Sequence, residues 1–191
     1  MEPIAAHHTQ ERKNPFFNVP YGTPHDTAPF GDIRLEDYEP AFMEGIRQDD
    51  ELTDTIINNP EAPTFDNTIA FDVPDNLLGR VSEVFFNLLS AETNDEMDTL
   101  AQKMSPILTE HANNILLNEK LFARVKAVYD HHRELTPEEQ MLLDKEYDGF
   151  IRNGAALPEE GKERLRAISK ELSQLTLQFS QNNLKATNAF Q

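Results

Sequence analysis

From Leu35 to the C-terminus, apolar residues recur at three- and four-residue spacing, and no stretch alternates apolar with polar for more than a few residues. Spacing near 3.6 collects those residues on one helical face, whereas a half-buried strand needs a period of two. No repeat of fixed period appears. The expected fold class is therefore all-α: a multi-helix antiparallel bundle with an extended Pro-rich N-terminal arm and a long C-terminal helix.

The arm is residues 1–33. Pro3, Pro15, Pro20, Pro24 and Pro29, together with Gly22 and Gly31, forbid a regular helix or a central strand there. Phe16, Phe17, Val19, Tyr21 and Phe30 predict that the arm lies against the body of the protein. Residues 34–191 form the helical domain. Its first helix is expected to follow a turn at Glu36 to Glu39, with Pro40 at the first helical position and a close at Asn58-Asn59-Pro60. Thr64 caps a short helix from Phe65 to Phe71, which Pro74 separates from a run through Leu77, Val81, Phe85 and Leu89. Thr93-Asn94-Asp95-Glu96 opens the next helix, with a kink expected at Pro106. Asn118 opens another, and Thr136-Pro137-Glu138-Glu139 a further one that ends at Asn153-Gly154.

The last helix runs from about Pro158 to the end. Leu165, Ile168, Leu172, Leu175 and Phe179 are spaced 3, 4, 3, 4, the seam of an antiparallel helical pair. Fully buried, five such residues would contribute about 8–15 kcal/mol gross. No stop signal follows Phe179, so the sequence reads as a helix severed and not ended.

At 191 residues the chain suffices for one domain, or two small ones, with a hydrophobic core. Its 34 Asp and Glu against 17 Lys and Arg give a net charge of −17, which repels phosphates and offers no basic stripe. Nucleic acid and anionic membrane surfaces are therefore not expected partners. With no Cys there is no disulfide, thiolate nucleophile or Cys-ligated metal. The first residues show neither a basic nor an apolar leader segment and no later run approaches a membrane span, so a cytoplasmic location is expected.

Chemistry is hard to find. Of His7, His8, His25, His111, His131 and His132, none has a histidine partner at the three- or four-residue spacing that turns two ligands to one helix face. Glu110-His111 is half of a zinc motif, but position 107 is Ile. Each histidine reads as solvated surface. Asp49-Asp50-Glu51, Glu138-Glu139 and Glu159-Glu160 read as solvated faces or helix N-terminal acids. Ser82, Ser90, Ser105, Ser169, Ser173 and Ser180 fall in expected helices, outside any nucleophile elbow. Catalytic residues: none; metal ligands: none; substrate-binding residues are not assigned.

Several segments, in order, resemble the N-terminal region of the zinc oligopeptidases of the thimet family, nearest to the bacterial peptidyl-dipeptidases. They are Asn14-Pro15-Phe16, Pro29-Phe30-Gly31-Asp32-Ile33, Asp37-Tyr38-Glu39-Pro40-Ala41 and, above all, the run from Asn58 to Ile69. Val84 to Leu88, Glu92 to Glu96, Asn118 to Lys126 and Asn153-Gly154-Ala155 continue the series. A departure falls at Ala70 to Asp75, where relatives tend to continue as helix.

The resemblance implies a longer, mostly helical parent whose two halves enclose a channel and whose zinc motif lies in the C-terminal half. It would release C-terminal dipeptides from oligopeptides by a zinc-activated water. On this reading the present chain ends before the catalytic half, forms one channel wall, and needs no cofactor of its own. Its partners are the missing catalytic half and, in the parent, oligopeptide substrate. The chain by itself is expected to self-associate through residues 165–179. The competing expectation is a self-contained acidic helical interaction module.

Overall fold

The structure, a computed structural model, describes residues 12–70, 76–131 and 134–190. Seven helices lie among them and no strand: α1 (Leu35–Ile57), α2 (Phe65–Thr68), α3 (Leu77–Ala91), α4 (Asp95–Leu116), α5 (Glu119–His131), α6 (Pro137–Arg152) and α7 (Glu159–Ala189). The all-α expectation holds.

Most helices begin where a side chain can accept from an otherwise unbonded backbone N–H. Asn76 takes the N–H of Gly79, Asn94 that of Met97, and Asn118 that of Leu121, at 2.7–3.0 Å. Thr64 with Asn67, and Thr136 with Glu139, form reciprocal capping boxes. Asn153 ends α6, and Gly154 follows with φ +89°, a conformation open to glycine.

The start of α1 differs from expectation. The helix begins at Leu35, and Pro40 lies inside it. Its first turn is fixed by the buried Asp37, whose carboxylate accepts the Arg34 backbone N–H at 2.7 Å and pairs with Arg12 at 2.5 Å. Asn14 donates to the Asp37 carbonyl at 2.7 Å. These ties offset the one ladder hydrogen bond that a proline at this depth removes. Pro106 also lies inside a helix, α4, as the sequence implied. Helix α2 ends at Thr68. Phe71 and Pro74, and with them all but Ala70 of the departure expected at Ala70 to Asp75, lie outside the described residues.

Two apolar clusters form the core. The larger joins α1, α3 and α4 through Tyr38, Phe42, Val81, Phe85, Ala101 and Met104. Its centre is aromatic: Phe85 meets Tyr38 and Phe42 edge-on, with centroids 5.0 and 5.5 Å apart. Helices α1 and α3 cross so closely that a Cβ on Gly45 would stand 2.8 Å from the Leu78 backbone. The smaller cluster joins the end of α1 to α5 and α6 through Ile56, Leu121, Val125 and Phe150.

The arm plugs into the larger cluster chiefly through Phe16, with Ile33 packed against its edge. Phe16 is fully buried against Tyr38, and Arg80 donates to its carbonyl at 2.8 Å. The other arm apolars contribute less than expected: Phe17, Val19 and Phe30 are each about half exposed. A 3-10 turn at Pro15–Phe17, held by the Asn14 side chain, aims Phe16 inward and leaves its neighbour outside.

Candidate interface on the long helix

Helix α7 is fastened to the body by polar groups. Near its start, Lys162 is buried and donates to Glu119 at 2.8 Å; Arg166 reaches Glu110 and Asn114 on α4 at 3.0 and 2.8 Å. Towards its end, Gln181 bonds Gln102 at 3.2 Å, and Lys185 stands 3.6 Å from the Asp98 carboxylate. The hydrogen bond from Lys162 stabilises the charged form of Glu119 and holds its carboxyl below the ordinary value.

The apolar seam faces the other way. Ile168, Leu172, Leu175 and Phe179 are 49, 59, 53 and 73% exposed. They stay about half or more exposed, because the positions of α7 turned to the body are taken by Lys162, Arg166, Leu177 and Gln181. Beside the seam runs a groove of about 710 Å³ between α3, α4 and α7, lined by Phe86, Leu89, Leu172, Leu177, Phe179 and Leu184. From Leu172 to Leu184 the helix bears no charged side chain, although 27% of the whole chain is charged. A broad, partly apolar surface of this kind, with Asp98 as the charged member of the groove lining, has the composition of an interface core.

The histidines are not all solvated. His111 is buried, its Nε2 3.2 Å from the Asp49 carboxylate and its Nδ1 3.3 Å from that of Asp50. Asp49 and Asp50 therefore flank a buried ring from α1, and Glu51 pairs with Arg47 instead. Sequence spacing could not reveal this contact, since its two sides lie about sixty positions apart. His25 and His131 are exposed, and the latter contacts the Ala127 carbonyl at 3.0 Å. His7, His8 and His132 lie outside the described residues.

The His111 cluster does not fit zinc. Its two carboxylates address the two ring nitrogens, which point along divergent directions, so a single ion cannot take the ring and both acids as ligands. Glu110, next in sequence, turns to Arg166. Among the described residues, no group of three or more His, Asp or Glu is placed to hold a metal. The paired acids at Glu138-Glu139 and Glu159-Glu160 sit in the first turns of α6 and α7, and Glu139 accepts the Thr136 N–H. All six serines named above are helical.

The segments carrying the resemblance meet in space for structural reasons. Arg124 of α5 donates to the carbonyls of Asn59 and Glu61 and to the Asn67 side chain at 3.0–3.2 Å, which fixes the 58–67 connection. No family model matches the chain. It is 40% identical over 169 residues to a dipeptidyl carboxypeptidase of Salmonella typhimurium and 38% identical over 182 residues to one of Escherichia coli. These alignments cover 87 and 92% of this chain but 25 and 26% of the relatives. The chain is homologous to the dipeptidyl carboxypeptidases. Oligopeptidase A of Escherichia coli is a more distant relative, 26% identical over 88% of this chain. Spanning about a quarter of the dipeptidyl carboxypeptidases it matches, the chain fits the N-terminal region that its sequence resembles. No described helix is long and apolar enough to cross a membrane.

Proposed function

We propose that this chain is the non-catalytic, N-terminal helical part of a zinc peptidyl-dipeptidase that releases C-terminal dipeptides from oligopeptides. The observation that carries this reading is the identity of 38–40% across nearly the whole chain, to relatives four times its length. In the whole enzyme, zinc held by the remaining part would supply an activated water. The role of the present residues is to shape and close the space around the substrate: α1, α3 and α4 form a stiff wall, and α7 offers its uncharged face to the rest of the polypeptide. We also propose that residues 1–33 act as an arm on a helical domain of residues 34–191, supported by the beginning of α1 at Leu35, and that the protein works in the cytoplasm.

The test is a zinc-supplemented assay on an oligopeptide with a free C-terminus. The chain alone should release no dipeptide, and the polypeptide encoded together with its downstream sequence should release it. Turnover by the chain alone would overturn the division of labour. A coding sequence that stops directly after Gln191, with no His-Glu-x-x-His downstream, would instead favour a self-contained acidic interaction module. The uncovered α7 face is the feature that supports that second reading.

A further inference from the structure

We infer that Asn153 is a modification site: a latent point of deamidation, which the packing of the α6–α7 junction holds off and which reacts when the start of α7 lifts. The inference stands apart from the peptidase reading.

Asn153-Gly154 is the one Asn-Gly pair in the chain. Deamidation is fastest at such a pair, because a glycine nitrogen approaches the preceding side-chain amide with no Cβ of its own in the way. The Gly154 nitrogen attacks Cγ of Asn153, the bond from Cγ to Nδ2 breaks, and the displaced proton leaves with the amide as ammonia. Water then opens the five-membered imide at either carbonyl. One opening leaves an ordinary aspartate at position 153; the other leaves a β-linked aspartyl residue, with an extra methylene in the main chain. The net exchange is one water for one ammonia.

The junction opposes that attack. Asn153 ends α6 with φ −90° and ψ 11°. Ring closure needs the Gly154 nitrogen eclipsed with Cβ of Asn153, at a ψ of about −120°, outside both the helical and the extended wells. At the observed ψ the nitrogen stands on the far side of the Cα–C bond. Its N–H donates to the Ile151 carbonyl at 3.1 Å, and that of Ala155 donates to the Phe150 carbonyl at 3.0 Å, which closes a Schellman turn. The leaving amide is tied as well, with Nδ2 donating to the Gly149 carbonyl at 2.8 Å.

The turn cannot rotate in place. Gly154 is buried at φ +89°, and a Cβ there would stand 2.6 Å from a Leu165 methyl and 2.9 Å from one of Leu157. Leu165 belongs to the second turn of α7, so it must withdraw before Gly154 can swing. Asn153 itself is exposed, and water reaches the imide once it forms. The product then works against the fold. A carboxylate at the end of α6 faces the negative pole of that helix and has no N–H for Gly149. The β-linked form lengthens the backbone by one atom, so the Schellman turn no longer closes. An opening of the junction thereby becomes permanent.

The test is peptide mass spectrometry after incubation at about pH 8 and about 37 °C, with pepsin digestion under acid and the gain of about 1 Da at position 153 followed over time. Asn153 should deamidate at least about 10-fold more slowly in the folded chain than in guanidinium chloride. Leu165→Ala should raise the folded rate several-fold while circular dichroism shows the helices intact, and Leu157→Ala, which thins the other wall, should do likewise. Phe16→Ala, which lowers global stability away from the junction, should leave the folded rate unchanged. Equal rates in the folded and unfolded chain overturn the inference, as does a folded rate that rises with Phe16→Ala and not with the two leucine variants. Chain aged in guanidinium chloride and refolded should be cut by trypsin at Lys162, buried in the fresh protein, faster than unaged chain. Equal cleavage would show that the opening does not become permanent.

Discussion

At the scale of single residues, space and not propensity decides Gly45. Alanine would ordinarily gain about 1 kcal/mol over glycine inside a helix. Here its Cβ would press on the Leu78 backbone at 2.8 Å, and a backbone neighbour inside a packed crossing cannot step aside. We therefore expect Gly45→Ala to lower stability by about 1–3 kcal/mol in urea denaturation, against the sign that propensity gives. A stabilised variant would show that α1 and α3 do not cross so closely. Gly45 reads in the sequence as one more member of a periodic stretch. Nothing local marks it as a crossing point, because its partner lies on another helix. The same blindness hid His111, whose two carboxylates come from α1, and Asp37, whose guanidinium comes from the arm.

At the scale of elements, what was legible was local chemistry. Thr64, Asn94 and Thr136 announce helix starts because the capping oxygen lies within three residues of the N–H it serves. The start of α1 escaped because Arg34 is no capping residue; the acceptor is Asp37, already inside the helix. The seam of α7 was visible as a period, but its burial was not. Period says which side chains share a face, and whether that face is covered depends on what Lys162, Arg166 and Gln181 do on the other. Their role can be measured. Because Lys162 depresses the carboxyl of Glu119, the pair's contribution is present above the ordinary carboxylate pKa and is lost as pH falls through the lowered value in the folded protein. In an NMR titration the Glu119 carboxyl should move back up to its ordinary range in Lys162→Met. An unchanged midpoint would mean that this pair does not fasten α7.

At the scale of the whole molecule, the arm closes the larger cluster from outside. Phe16 is fully buried among Tyr38 and its neighbours, so Phe16→Ala should cost about 3–5 kcal/mol and expose the arm to trypsin at Lys13 and Arg34. A variant of unchanged stability and cleavage rate would show that the plug is dispensable. The candidate interface was partly legible for a reason that belongs to this scale: the unspent seam pointed towards contact with something else. How α7 is tied down has a further consequence. Leu177 packs against the larger cluster and Leu165 lies beside Gly154, while the hydrogen bonds and ion pairs that tie α7 to the body lie towards its ends. Such a helix can lift away as a unit while both clusters stay shut, exposing little new apolar surface. Its release would then depend weakly on denaturant and separately from global unfolding, so the protein behaves as a firm block wearing a detachable brace.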